Sequence, residues 1–148
     1  MPADIPGARP AEPLDEVSDL LHAVNRRIRT RANRDLDPIG VTGAQARALR
    51  TIAHRSEPVR MGELAELLGI VRRSATSVVD ELAERGLVER RPDPVDRRGV
   101  AVVVTPSGRA LLGRMKKRRR AAAADILGRL SPEQIVQLRE LLRALAHD

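Results

Sequence analysis

The chain has 148 residues, enough for one domain of ordinary size with a real core and too few for two comfortable ones. It contains no Phe, Trp, Tyr or Cys, so its core must be aliphatic, and disulfides, thiolate nucleophiles and Cys-bearing zinc sites are excluded. A net charge of +7 favours an anionic partner, with nucleic acid foremost, yet the whole excess falls between residues 106 and 130, so charge alone does not mark a binding surface.

Residues 1–12 read as a proline-rich, disordered leader without the basic-then-apolar layout of a signal peptide. No apolar run approaches the roughly 18 residues of a membrane span, so the simplest expectation is a cytoplasmic protein with no membrane partner. Leu14, Val17, Leu21, Val24 and Ile28 then recur at spacings of three and four, a heptad-like seam on a helix that needs a partner. Beyond Gly40, Thr42 and Gln45 have the form of a capping box and open a second helix, which buries Ala46, Leu49, Ile52 and Ala53 and ends near Arg55. Met61, Leu64, Leu67 and Leu68 share one face of a short third helix that breaks at Gly69. From Val71 the apolar positions are Val71, Ala75, Val78, Val79 and Leu82, as an amphipathic helix requires, and the opposite face carries Arg72, Arg73, Ser74, Thr76 and Ser77.

Gly86 is placed to end that helix, and residues 87–90 and 99–104 read as two strands. Between them RPDPVDRR forms the charged, proline-stiffened tip of an antiparallel hairpin, whose two prolines, two aspartates and three arginines no core could bury cheaply. Thr105 and Pro106 supply an N-cap and a first-turn proline for a long helix reaching about Leu130. Ser131, Pro132, Glu133 and Gln134 repeat the device, and the last helix shows Ile135, Leu138, Leu142 and Leu145 as a second seam.

A short helix, a tight turn and a second helix with a basic, hydroxylated face make a helix-turn-helix, and the hairpin after it makes a wing. Arginine forks suit base edges and narrow minor grooves, while small hydroxyls let a helix sit deep in the major groove. The run Lys116 to Arg120 winds around its helix and cannot face one partner, so solvation, ion pairs to Asp15, Glu16 or Asp19 across a dimer, and DNA contact all stay open. His22, His54 and His147 are too scattered for a metal site, and no catalytic constellation or phosphate loop stands out, so neither a cofactor nor an enzyme is expected.

The run from Gly86 through Gly108, with VERRPDPVDRRGVAVVVTPSG inside it, resembles the wing of the multiple-antibiotic-resistance regulator (MarR) family, whose signature is Asp-x-Arg, five residues, then Leu-Thr. Asp96, Arg98 and Thr105 stand at that spacing, with Val104 in place of leucine, and the likeness extends over almost the whole chain after the leader. It implies a mostly α fold with a small β-hairpin wing, residues 37–105 forming the winged helix and 13–36 with 106–148 the dimerisation helices of a single domain. It also implies a homodimer on double-stranded DNA, with Arg98 in the minor groove, Asp96 holding its guanidinium and Arg97 on phosphate. The resulting expectation is a repressor released by a small-molecule effector; without aromatic residues its pocket would be aliphatic, with an arginine or histidine at the mouth. An effector-independent architectural DNA-binding protein, or a winged helix used for protein contacts, are the competing readings.

Overall fold

The structure is a computed structural model that describes residues 11–34 and 40–146, so the leader, apart from its last two residues, and His147 lie outside the described residues. The elements in order are α1 (Ala11–Asn33), α2 (Gly43–Ala53), β1 (Val59–Arg60), α3 (Met61–Leu68), α4 (Arg72–Glu84), β2 (Val88–Pro92), β3 (Val100–Val104), α5 (Pro106–Leu127) and α6 (Pro132–Ala146). They fall into two compact units, one within residues 36–118 and one made of residues 1–35 with 119–148.

Within residues 36–118, the Thr42 hydroxyl accepts the Gln45 N–H at 3.2 Å and the Gln45 side chain accepts the Thr42 N–H at 3.0 Å, closing the capping box expected of α2. Gln45 is nevertheless buried, because its amide also donates to Glu81 of α4. α3 stops at Gly69, whose φ of 64° is left-handed and so favours glycine. α4 packs Ala75, Val79 and Leu82 inward. Val71, expected in that stripe, is instead 70% exposed, because it is the residue that caps α4 and its extended backbone turns the side chain off the helix face.

The sheet has three strands, not two. β1 pairs antiparallel with β3, Val59 opposite Val102, and the order is β1-β3-β2. β3 is therefore central, which explains its aliphatic run: Ala101, Val102 and Val104 are all buried. β2 begins one residue later than expected and extends to Pro92, a proline tolerated because it ends the strand. α2 and α5 also stop two or three residues short of the expected ends, where fraying makes sequence signals least sharp.

Leu49, Leu64, Leu82, Leu111, Val59, Val79 and Val102 are the largest fully buried side chains, joining α2, α3, α4, the sheet and the start of α5 in one aliphatic core. Thr105 anchors α5 doubly: its hydroxyl donates to the Gly86 carbonyl at 2.6 Å and accepts the Gly108 N–H at 3.1 Å. Gly108 is there because nothing larger fits: a Cβ would lie 2.1 Å from the Leu87 carbonyl oxygen.

In the second unit Arg31 pairs with Asp125, and Ala32 and Ala122 are buried. Of the α1 seam, Leu14, Val17 and Leu21 are exposed while Val24 and Ile28 are half-buried. α6 buries no residue fully: Ile135 and Leu138 are half-buried, Leu142 and Leu145 exposed. Its first turn is held by Ser131, which accepts the Gln134 N–H at 3.2 Å and donates to Glu133 at 2.7 Å, keeping that carboxyl below its ordinary pKa. Among the described residues no helix is long and apolar enough to cross a membrane.

Candidate nucleic-acid interface

Gly69, Ile70 and Val71 separate α3 from α4, and Arg72, Arg73, Ser74, Thr76 and Ser77 all lie exposed on the outer face of α4. The helix has no acidic residue in its first turn, and Val71 gives it no side-chain cap, so its leading N–H groups keep their partial positive charge beside two arginines. A phosphate oxygen would be welcome there. Arg72 and Arg73 form no ion pair among the described residues. Thr76 turns its hydroxyl back to donate to the Arg72 carbonyl at 3.0 Å.

The wing follows on the same unit, fastened to α4 by an ion pair between Arg90 of β2 and Asp80. Asp96, Arg97 and Arg98 are exposed at its tip. Asp96 accepts the backbone N–H of Arg98 at 3.0 Å, and no ion pair joins the two side chains among the described residues. The expected grip on the guanidinium is thus a grip on the main chain: a carboxylate two residues upstream reaches its neighbour's amide more readily than the end of a long side chain. Arg97 and Arg98 form no ion pair among the described residues.

Two residues that sequence reasoning missed organise the tip. Asp93 is 4% exposed, although its setting among prolines and arginines suggests surface. Its Oδ1 accepts the N–H groups of Val95 at 2.8 Å and Asp96 at 3.3 Å, and its Oδ2 meets Arg60 Nε at 2.7 Å. The Val95 N–H foremost, with Asp96 and Arg60 behind it, outweighs burial and keeps the carboxyl below its ordinary value. Main-chain bonds from Asp93 N–H to the Gly99 carbonyl and from Gly99 N–H to Asp96 complete the turn. The usable signal was Asp-Pro followed by an open turn, a frequent setting for an aspartate that caps its own loop. For Arg60 there was none.

Comparison with known proteins places these features in company. A family model described as MarR family matches residues 39–99. The chain is 30% identical over 129 residues to the multiple antibiotic resistance protein MarR of Salmonella typhimurium, covering 85% of this chain and 88% of that protein. A shorter match to MarR of Escherichia coli is 37% identical over 94 residues, 62% of this chain and 63% of that one. A solved structure of the multiple antibiotic resistance repressor, MarR, superposes with a TM-score of 0.72 at 28% identity, covering 86% of this chain and 93% of the other.

Proposed function

The chain belongs to the MarR family, and on that premise we propose that it is a cytoplasmic, sequence-specific DNA-binding regulator of transcription, a repressor that holds an inverted-repeat operator as a homodimer. The observation that carries this reading is the pairing, on one unit, of an acid-free cationic start to α4 with a wing whose tip holds Arg97 and Arg98 out. α4 enters the major groove, where Arg72 and Arg73 donate to base edges and Ser74, Thr76 and Ser77 allow close approach. The wing lies along the backbone, with Arg98 in the adjacent minor groove and Arg97 on phosphate. Asp93 and Asp96 set the tip before DNA arrives, so less order is lost on binding.

The seams of α1 and α6 supply the twofold contact, since Leu14, Val17, Leu21, Leu142 and Leu145 are exposed in a single chain. Repression is relieved by a small effector that favours a dimer with its two α4 helices out of register with the operator.

Selection of fragments from a genomic DNA pool at physiological salt tests the reading. Enrichment of one short inverted repeat is expected. Uniform retention of all duplexes, with affinity falling steeply as salt rises, would identify an architectural protein instead.

A further inference from the structure

Arg26, Arg27, Thr30 and Arg31 recur at spacings that place them on one face of α1, and Arg34 follows directly after its last residue. Together with Asp125 and Ile126 of α5, and Arg129 just beyond it, they line an open cleft of about 360 Å³. Five guanidinium groups thus share a concave site with one carboxylate, and that carboxylate is already engaged: Asp125 Oδ2 accepts both Nε and Nη2 of Arg31, at 2.9 and 2.7 Å. Arg26, Arg27, Arg34 and Arg129 form no ion pair among the described residues.

Arginines near a helix C-terminus complement its dipole, but that benefit is confined to the last turn. Arg26 and Arg27 lie well before the end of α1 at Asn33, and Arg129 belongs to another segment, so the dipole does not account for the cluster. Like charges held together in a concave site add their fields and attract an anion, and arginine forks match carboxylate and phosphate oxygens.

We propose that this cleft is a binding site for a compact anion with at least two negative charges, of the phosphate or polycarboxylate kind. Its chemistry is unlike the aliphatic crevice expected from the sequence. Ile126 is the sole apolar residue of the lining and no aromatic ring exists in the chain to stack on one, so an aryl monocarboxylate finds neither the surface nor the charge match. All the lining residues lie in residues 1–35 and 119–148, outside the winged helix, and the site stands whether or not α4 and the wing read DNA.

Titration calorimetry on the full chain, at an ionic strength held constant with chloride, provides the test. The probes are inorganic phosphate, propane-1,2,3-tricarboxylate and benzoate. One saturable site per chain is expected for phosphate or the tricarboxylate, and which of the two binds tells phosphoryl from polycarboxylate ligands. Benzoate should bind at least about tenfold more weakly, and Arg27→Gln or Arg129→Gln should each weaken the polyanion by about tenfold or more. Arg139→Gln, on α6 and outside the cleft, should not. The proposal is overturned if neither polyanion gives saturable heat, if the two variants bind as the wild type does, or if benzoate binds equally well. It is also overturned if the variants merely loosen self-association or duplex binding with no polyanion bound, since the cations would then serve a second copy or a phosphate backbone.

Discussion

On the proposed reading Arg98 serves the minor groove and Arg73 the major groove, and their removal should therefore fail in different ways. Arg98→Ala takes a cation from a groove with a degenerate code, so affinity should fall by roughly 1–3 kcal/mol with loss of preference for A·T pairs flanking each half-site. Arg73→Ala should instead relax discrimination at one or two major-groove positions, by about 1–3 kcal/mol each, and leave the flanks unchanged. Titration of both variants against singly substituted operators at fixed salt separates the two. Asp96→Ala should resemble a milder Arg98→Ala, because it releases the main chain of Arg98 without deleting the cation. Asp93 adds a pH dependence. Its folded pKa is depressed, so its contribution to wing order is present in full above the unfolded value and fades as pH falls through the folded one. The amide resonance of Val95 should thus titrate with a midpoint below the ordinary value of 3.8, and Asp93→Asn should abolish that step; a midpoint at or above 3.8 contradicts the assignment. The fixed spacing of the family signature singled out Asp96, Arg98 and Thr105 in the sequence, and the first two lie exposed at the wing tip. Asp93 was not, since charge and proline argue for surface unless the turn's own amides are counted as partners.

Elements followed their local chemistry closely where the signal was stereochemical. Both capping boxes, the stop at Gly69 and the start of α5 at Pro106 are set by side-chain reach and backbone angle, which the sequence states directly. β1 was invisible because two residues cannot display a period, and only its place beside β3 makes it a strand. Val71 was misplaced for the opposite reason, as spacing assigned to a helix face a residue that lies just outside the helix. Two glycines of α5 offer a sharp contrast. Gly108→Ala drives a methyl group into the Leu87 carbonyl and Val104, where the backbone has no room to yield, and should destabilise the fold by about 1–3 kcal/mol or more. Gly113→Ala meets nothing within 4 Å and should stabilise it by about 1 kcal/mol through helix propensity. Urea unfolding of the two variants checks both signs, and equal effects would mean that α5 does not pack on the β2 junction as described.

For the whole molecule, the net charge of +7 does not coincide with the proposed interface, because the residues proposed to read DNA lie in a stretch whose formal charges balance. What the sequence did convey at this scale was unfinished burial. Leu14, Val17, Leu21, Leu142 and Leu145 remain exposed in one chain, and on the proposed reading a second copy covers them, which would couple folding to association. Deletion of residues 1–34 should lose both, as read by sedimentation and circular dichroism at micromolar concentration; a stable, folded monomer would contradict this. A twofold protein presents its two α4 helices one DNA turn apart, so half-site centres about 10 base pairs apart are required for both to engage. The most direct test is the affinity of the wild-type protein for its selected operator before and after insertion of about five base pairs between the half-sites, which turns them to opposite faces of the duplex. The account predicts that affinity drops to that of a single half-site. Unchanged affinity, or a selected site with no twofold symmetry, would contradict it.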